Sequence, residues 1–328
     1  MTIFSAIRAG LRRVSAGPKL IGLLWLINFA AAIPLTMVMS NQIESAIGAS
    51  LVQEKLRAGF DIDWYEEFAN AANDLGKTFS PAVIGIGPFL GNLEAWLDGS
   101  LFGGYIGIVG LGIGYMLLWA FLLGGILDRF AHAQENLTAE RFFSASGRYF
   151  LRFLFLMALS WIFYALVLAM ISPSLFSAIA AATRDTTVER SVFFLTAGAF
   201  VIVALLLAVV NMAFDYAKIS TVLQDQRNML AAAGQGFRFI LSHPAKTFGL
   251  YLVLGTAALA FLGLYALIAP GANQASAVGV IAAFIVGQVF LVVKLITRLT
   301  FFSGQMALYE ATAGVAAPLP PAIEASNK

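Results

Sequence analysis

The sequence has no cysteine, only two histidines and few charged residues. Without cysteine the chain forms no disulfide bond, no thiolate nucleophile and no zinc site built from thiolates. Charged residues make up 12% of the 328 positions, about half of the roughly 25% found in soluble domains. A net charge of +2 is too small to indicate nucleic-acid binding. The composition therefore argues against thiol chemistry and against a nucleic-acid partner.

The sequence also lacks the signatures of common enzyme classes. Gly76-Lys77-Thr78 resembles the end of a phosphate-binding loop, but Ala71 stands where that motif requires its first glycine. Neither the HExxH motif of zinc proteases nor the GxSxG motif of serine hydrolases occurs. We therefore predict no catalytic residue, no metal site and no cofactor.

Hydrophobic residues, in contrast, make up 60% of the chain and gather in long runs. A helix of about 20 apolar residues crosses the ~30 Å hydrocarbon core of a membrane. The runs predict an all-α integral membrane protein with six transmembrane helices. They lie approximately at residues 20–39, 105–127, 153–171, 192–212, 249–269 and 277–296. The first run is longer than the roughly 7–15 residues of a signal-peptide core, so we interpret it as a retained span.

The distribution of Lys and Arg predicts the orientation of these spans. Of the 20 basic residues, 15 fall on the side that holds both termini. The other five lie on the opposite side: Lys55, Arg57, Lys77, Arg184 and Arg190. Because positive residues concentrate on the cytoplasmic side of multi-spanning proteins, we place both termini in the cytoplasm. The basic face then lies against the anionic inner leaflet, so membrane lipids are the first predicted partner.

A short sequence pattern recurs in front of the odd-numbered spans. GLRRVSAGPKL at residues 10–20 aligns without a gap with GFRFILSHPAK at residues 236–246. The matched pairs are Gly10 and Gly236, Arg12 and Arg238, Val14 and Ile240, and Pro18 and Pro244. A looser copy, SGRYFLRF at residues 146–153, has Arg148 in the arginine place but no proline. We predict three repeated hairpins, each preceded by a cytoplasmic amphipathic helix that lies in the headgroup plane.

The predicted organisation has three parts. Residues 1–19 form a cytoplasmic amphipathic helix, residues 20–311 form the six-span membrane domain, and residues 312–328 form a disordered cytoplasmic tail. Within the membrane domain, residues 40–99 are expected to form a helical loop on the outer side.

The outer loop is predicted to contain two amphipathic helices hinged near Gly59. The apolar positions recur every four residues: Ile43, Ile47 and Leu51 in the first helix, Trp64 and Phe68 in the second. Asp61 or Asp63 is expected to cap the second helix. Residues 80–99 are apolar but interrupted by glycine and proline, which favours a re-entrant or surface-lying segment.

Small residues at four-residue spacing occur in the second and sixth spans. The positions are Gly103, Gly107, Gly110 and Gly114 in span two, and Gly279, Ala283 and Gly287 in span six. This spacing lets helices approach closely in a membrane. We interpret these positions as sites of tight helix packing; a movable interface that lines a pathway is the alternative.

Polar residues at membrane depth are few. They are Asn28, Ser160, Asn211 and Gln288. None is ionisable, whereas a route for ions or protons needs buried acids, bases or histidines. The spans therefore argue against a proton-coupled pump, while a path for a lipid or a hydrophobic molecule stays open.

Two acids mark the candidate site. Asp128 and Asp215 each follow an even-numbered span, at a helix C-terminus, where the helix dipole disfavours a negative charge. The basic residues on the same face are Arg12, Arg129, Arg148, Lys218 and Arg238. We predict ion pairs between the two acids and arginines of the amphipathic helices, which would fix each amphipathic helix to its hairpin. Contact with a lipid headgroup or substrate is a second interpretation, and catalysis is a third.

The runs GGILDRF…FFSASGRYFLRF and FDYAKISTVLQDQR…GFRFILSHP resemble a family of uncharacterised multi-pass bacterial inner-membrane proteins. The resemblance covers most of the chain and implies the bacterial inner membrane as its location, but it implies no activity. More distantly, the layout is similar to that of the membrane domains attached to some glycerophosphodiester phosphodiesterases. Their catalytic domain has no counterpart here, so no active-site residue is carried over.

Three functional hypotheses follow. The first is a non-enzymatic membrane scaffold or auxiliary subunit that organises lipid or protein partners, which include a second copy of the chain. The apolar, glycine-packed interior and the basic inner face favour it. The alternative is a transporter or flippase for a lipid-like or amphipathic substrate, favoured by the repeat and by the interrupted segment 80–99. A membrane-embedded lipid-modifying enzyme is the third.

Overall fold

The computed structural model of the chain is helical throughout its described part, which confirms the predicted all-α class. The structure describes residues 1–48, 56, 61–72, 74–79, 106–132, 138–269 and 276–315, and these residues contain no strand. The helices are α1 (Ile3–Ser15), α2 (Pro18–Ile47), α3 (Ile62–Ala71), α4 (Ile106–Ala131), α5 (Ala139–Ala165), α6 (Ser172–Ala182), α7 (Glu189–Leu223), α8 (Met229–Ser242), α9 (Pro244–Ile268) and α10 (Ala277–Ala313). A 3-10 helix at Asp74–Thr78 and a π-helical segment at Leu166–Ile171 accompany them.

Within the described residues, six helical stretches are long and apolar enough to cross a membrane. They are Pro18–Ile47, Val109–Ala131, Ala139–Ala182, Glu189–Leu223, Pro244–Ile268 and Ala277–Ala313. Each contains or overlaps one of the six predicted spans, so the chain has the helices of a multi-pass membrane protein. Several run past the predicted ends, because a helix does not stop where the hydrocarbon does. The last one continues to Ala313, so residues 312 and 313 are helical rather than part of a tail.

Proline decides whether an amphipathic helix is separated from the span after it. The helix α2 begins at Pro18 and α9 begins at Pro244, each directly after the end of an amphipathic helix. Proline is tolerated in the first turn of a helix but breaks a helix interior, since it has no N–H to donate. The looser copy of the pattern has no proline, and α5 runs unbroken from its cap at Thr138 into the third span. The separate amphipathic helix predicted before that span is therefore the first part of α5.

The segment between the first two spans, residues 40–99, agrees only partly with the prediction. The side chain of Asp61 accepts a hydrogen bond from the backbone N of Trp64 (3.1 Å) and caps α3, as expected. The first of the two predicted helices is wrong, because Ile43 and Ile47 belong to the end of α2. They pack against a small core formed by Trp64 and Phe68, whose rings stack 5.4 Å apart. The predictions for Leu51, Gly59, residues 80–99 and residues 316–328 lie outside the described residues.

The chain divides into two compact units. The first comprises Met1–Ser15, Trp119–Tyr251 and Thr300–Lys328, and the second comprises Ala16–Leu118 and Leu252–Leu299. The first unit holds the largest fully buried side chains, among them Phe130, Phe142 and Tyr216. In the second unit apolar side chains of the spans lie exposed, for example Met37 and Val278. On a helix long enough to cross a membrane, such side chains fit contact with hydrocarbon.

Within the described residues, the glycine spacing of the second span does not mark close packing at Gly110 and Gly114. A β-carbon built on Gly110 or Gly114 would have no neighbour within 4 Å, and the same holds for Gly287. The tight packing predicted for the Gly110–Gly114 pair is therefore wrong for the described part of this chain. The spacing shows that the residues on one helix face are small, but it does not show which neighbour that face contacts. Close contacts occur further along α4, at Gly124 and Gly125.

Candidate functional site

Three helix crossings within the first unit define the candidate site. We call α1, residues 139–152 of α5, and α8 the elbow helices. A β-carbon on Gly10 of α1 would lie 2.8 Å from the backbone N of Gly304 in α10. One on Gly236 of α8 would collide with the carbonyl oxygen of Ala213 in α7, and one on Gly124 of α4 would lie 3.1 Å from the carbonyl oxygen of Ala145 and from Cα of Ser146 in α5. Each elbow helix thus crosses the end of an even-numbered span at backbone distance.

The first and third elbow helices bury the same aligned positions. These are Ala6, Gly10 and Val14 in α1, and Ala232, Gly236 and Ile240 in α8. The four-residue period places each set on one face of its helix. In α5, Phe142 and Ser146 are buried in the same phase. The aligned arginines Arg12, Arg148 and Arg238 are exposed on all three.

Asp128 lies at the end of α4, as predicted, and only 9% of it is exposed. Its carboxylate is 3.6 Å from Nε of Arg141 and 3.4 Å from Nδ1 of His132. Arg141 lies in the first turn of α5. Its backbone N donates a hydrogen bond to the side-chain hydroxyl of the cap residue Thr138 at 3.3 Å. The ion-pair partner of Asp128 is therefore an arginine at the start of the second elbow helix, rather than Arg148. A cation beside this helix C-terminus offsets the unfavourable position of the acid.

Asp215 differs from the prediction in position and in partner. It is not at a helix end, because α7 continues to Leu223. Its carboxylate lies 3.4 Å from Nζ of Lys218 and accepts a hydrogen bond from Nε2 of Gln305 at 3.5 Å. Lys218 is three residues further along the same helix, the spacing at which side chains meet. The predicted ion pair with an elbow arginine is therefore wrong for Asp215, and Arg238 lies exposed on α8.

The elbow arginine of α5 binds an acid that the sequence did not single out. Arg148 is 2.8 Å and Arg152 is 2.7 Å from the two carboxylate oxygens of Asp225. Asp225 follows α7 and has a φ of 45°, the left-handed conformation that often ends a helix. The backbone N of Gln226 donates to the carbonyl oxygen of Thr221 at 3.1 Å, which closes the turn. The signal in the sequence was the short polar QDQRN stretch after an apolar helix.

The first elbow helix is fixed by another unforeseen pair. Arg13 of α1 donates to Glu310 of α10 through both terminal nitrogens of its guanidinium group, Nη1 and Nη2, with a closest distance of 2.5 Å. Arg12, which was among the predicted partners of Asp128 and Asp215, is exposed. The acid that follows the last span is thus Glu310, near the end of α10.

A test of Asp225 separates its charge from its backbone role. Burial raises the pKa of Asp225, but hydrogen bonds from Arg152 and the charge of Arg148 outweigh this and hold the pKa below its usual 3.8. Because the folded-state pKa is depressed, the ion pairs stabilise the chain above pH ~4 and are lost as the pH falls further. We expect Asp225→Asn to lower the free energy of unfolding by about 0.5–1 kcal/mol at pH 7, since the side chains of Asp225 and Arg148 are 35% and 54% exposed.

The control for this prediction is Asp225→Gly. Asparagine and glycine both tolerate the left-handed conformation, and neither carries a charge. Denaturation in detergent at pH 7 and at pH 3.5 measures both variants. If the difference between Asp225→Asn and the wild-type chain is the same at both pH values, the ion pairs do not stabilise the fold.

The polar side chains at membrane depth form hydrogen bonds between helices. Tyr115 of α4 donates to Asn28 of α2 at 2.9 Å, and Trp25 of α2 donates to Gln288 of α10, also at 2.9 Å. Three helices meet where Tyr164 of α5 donates to Asn211 at 3.3 Å and Asn211 of α7 donates to Tyr251 of α9 at 2.8 Å. Ser160 instead donates to the carbonyl oxygen of Met157 within its own helix.

The described residues do not assemble a metal-binding set. Nowhere in this part of the chain do three His, Cys, Asp or Glu residues stand where they could hold a metal ion. Asp128 and Asp215 have separate partners, and His243 bonds through its ring to the carbonyl oxygen of Phe239. Chemically, the arrangement neutralises charges and fixes helices.

Comparison with known proteins finds no matching family model, no matching curated protein and no matching solved structure. The resemblance to multi-pass bacterial inner-membrane proteins stays a prediction. The side-chain contacts between the helices are therefore the evidence on the function.

Proposed function

We propose that the chain is a non-enzymatic scaffold or auxiliary subunit of the bacterial inner membrane that organises lipid or protein partners. The observation that carries this proposal is that the side-chain amides in the spans form hydrogen bonds to other helices of the chain. Asn28, Asn211 and Gln288 each bond to a tyrosine or tryptophan of another helix. A path for an amphipathic substrate needs polar groups that a ligand can reach. Here these groups hold helices together, as polar side chains commonly do in membranes.

The proposed architecture is three repeated hairpins with both termini in the cytoplasm. Its support comes from the elbow helices, since aligned positions of α1 and α8 are buried and aligned small residues make the close crossings. The excess of basic residues on the side of the elbow helices supports the orientation. Salt bridges and crossings at that end favour a fixed base over a gate that opens.

Reconstitution distinguishes the scaffold from the transporter. We expect vesicles that contain the purified chain to move fluorescent phospholipids between leaflets no faster than protein-free vesicles. Cross-linking in native membranes, followed by purification, is expected to recover the same protein or lipid partner in repeated preparations. Lipid movement above the protein-free rate, or recovery of a bare monomer alone, would overturn the scaffold proposal.

A matched pair of variants completes this test. Asn211→Leu removes two hydrogen bonds between helices and is expected to lower stability by about 1–2 kcal/mol, given ~0.6 kcal/mol for an average bond in a membrane and up to ~1.7. Thr36→Val is the control, because the hydroxyl of Thr36 bonds within its own helix. If the chain moves lipid and Asn211→Leu abolishes the movement without a change in stability, Asn211 belongs to a pathway instead.

A further inference from the structure

Three arginines hold the same place on the elbow helices but differ in how their charge is balanced. Arg12, Arg148 and Arg238 each stand two residues after the small residue of the crossing. Arg148 is paired with the carboxylate of Asp225 at 2.8 Å, which also pairs with Arg152 at 2.7 Å. Arg12 and Arg238 are exposed, and the described residues supply no acid to either. Two of three equivalent positions thus carry a cation to which the described residues supply no counter-charge.

Large apolar side chains flank both of these cations. Phe4 is 74% exposed and Leu11 is 47% exposed on α1, while Leu230 is 61% and Leu241 is 74% exposed on α8. Phe4 precedes Arg12 by eight residues, as Leu230 precedes Arg238, so each lies on the same helix face as its arginine. A helix that presents bulky apolar side chains beside cations lies at the boundary between headgroups and acyl chains.

We propose that Arg12 and Arg238 each bind the phosphate of an anionic phospholipid, in the place that the carboxylate of Asp225 takes at Arg148. A guanidinium group binds carboxylate and phosphate oxygens through the same planar fork of N–H donors. The exposed phenylalanine and leucines select a lipid over free phosphate, because they give the acyl chains a surface to contact. This inference rests on the proposed function and names its lipid partner.

The two sites are not equal in charge. On α1, Arg8 precedes Arg12 by one turn and is also exposed, so two cations face one phosphate. On α8 the corresponding position is Gly234. A basic residue near an anionic surface contributes about 1 kcal/mol, or roughly a fivefold change in binding. The site on α1 is therefore the tighter of the two.

The experiment counts the lipids that the full-length chain retains. The wild-type chain and its variants are placed in nanodiscs with equal phosphatidylglycerol and phosphatidylcholine, extracted in mild detergent, and examined by native mass spectrometry. We expect Arg12→Gln and Arg238→Gln each to lower the preference for phosphatidylglycerol at the affected site about fivefold. Arg184→Gln, which removes an exposed arginine far along the sequence from the elbow helices, is the control and should leave the preference unchanged.

A second variant tests the equivalence of the three positions by a gain. Asp225→Asn removes the carboxylate from Arg148, so the variant is expected to retain one more phosphatidylglycerol than the wild-type chain. Arg148→Gln is expected to retain as many as the wild-type chain. The proposal is overturned if Arg12→Gln and Arg238→Gln bind like Arg184→Gln, if the control loses as much lipid, or if inorganic phosphate displaces the phosphatidylglycerol.

These outcomes are separable from those of the proposed function. If the arginine variants keep the cross-linked protein partner and lose no lipid, the two lipid sites are refuted and the scaffold proposal stands. If lipid retention depends on the two arginines and the chain also moves phospholipid between leaflets, the scaffold proposal is refuted and the two lipid sites stand.

Discussion

Gly236→Ala is expected to lower the free energy of unfolding by about 3 kcal/mol, the upper part of the range for overpacked sites. The added β-carbon would collide with the carbonyl oxygen of Ala213, which is backbone and cannot rotate away. The whole of α8 must then move off α7, and the buried side chains beside the crossing lose contact with it. Among these are Phe239 and Tyr216, whose rings lie 4.7 Å apart.

The same substitution two residues earlier is the control. A β-carbon on Gly234 meets nothing within 4 Å, and alanine favours a helix interior over glycine by about 0.5–1 kcal/mol. We therefore expect Gly234→Ala to be neutral or slightly stabilising. Unfolding of both variants in mixed micelles by increasing SDS measures the difference. Equal stability of the two would mean that the crossing at Gly236 has room that the structure does not show.

The class of the protein and its spans could be predicted because their causes are local in the sequence. A run of about 20 apolar residues is sufficient to identify a span. Asp61 is one of the two acids expected to cap α3, and it could be predicted because a cap depends on residues three positions away. The break before α9 follows from one proline, and the unbroken α5 follows from its absence.

The candidate site was less predictable because its contacts join distant parts of the chain. The face that holds the acids and arginines was identified, but not which acid meets which arginine. Arg13 rather than Arg12 binds Glu310. The two residues are consecutive in α1 and therefore point in different directions, and the side chain of Arg13 is the half-buried one. Asp225 was missed because its role depends on a turn that places it against α5, and no spacing within one helix reveals this.

Asp128 and Asp215 show why two similar acids need different partners. Both follow apolar spans in the sequence, but α4 ends at Ala131 while α7 continues to Leu223. Asp128 therefore faces the negative end of its helix dipole and requires a cation from another helix. Asp215 lies within a helix, where a residue at three-residue spacing is sufficient.

Asp128→Ala is consequently expected to be more harmful than the loss of a surface acid. The side chain of Asp128 is 13% exposed and that of Arg141 is 33% exposed, which places the pair between a buried and a surface ion pair. Breaking a buried pair costs about 3–5 kcal/mol and an exposed pair ~0–1. We therefore expect Asp128→Ala to lower the free energy of unfolding by about 2 kcal/mol. The exposed Asp185 is the control, and Asp185→Ala should change stability by less than ~0.5 kcal/mol.

A double-mutant cycle shows whether Arg141 is the reason. If the ion pair fixes α5 to α4, Arg141→Ala alone is destabilising, and the double variant loses less than the sum of the two single variants. The difference, the coupling energy, should be about 1 kcal/mol, within the range for residues in one network. A coupling energy near zero would contradict the ion pair as the stabilising contact, and the cost of Asp128→Ala would then come from His132 or from packing. A coupled pair would instead show that the acid at the end of this span stabilises the crossing, so that its charge serves the fold.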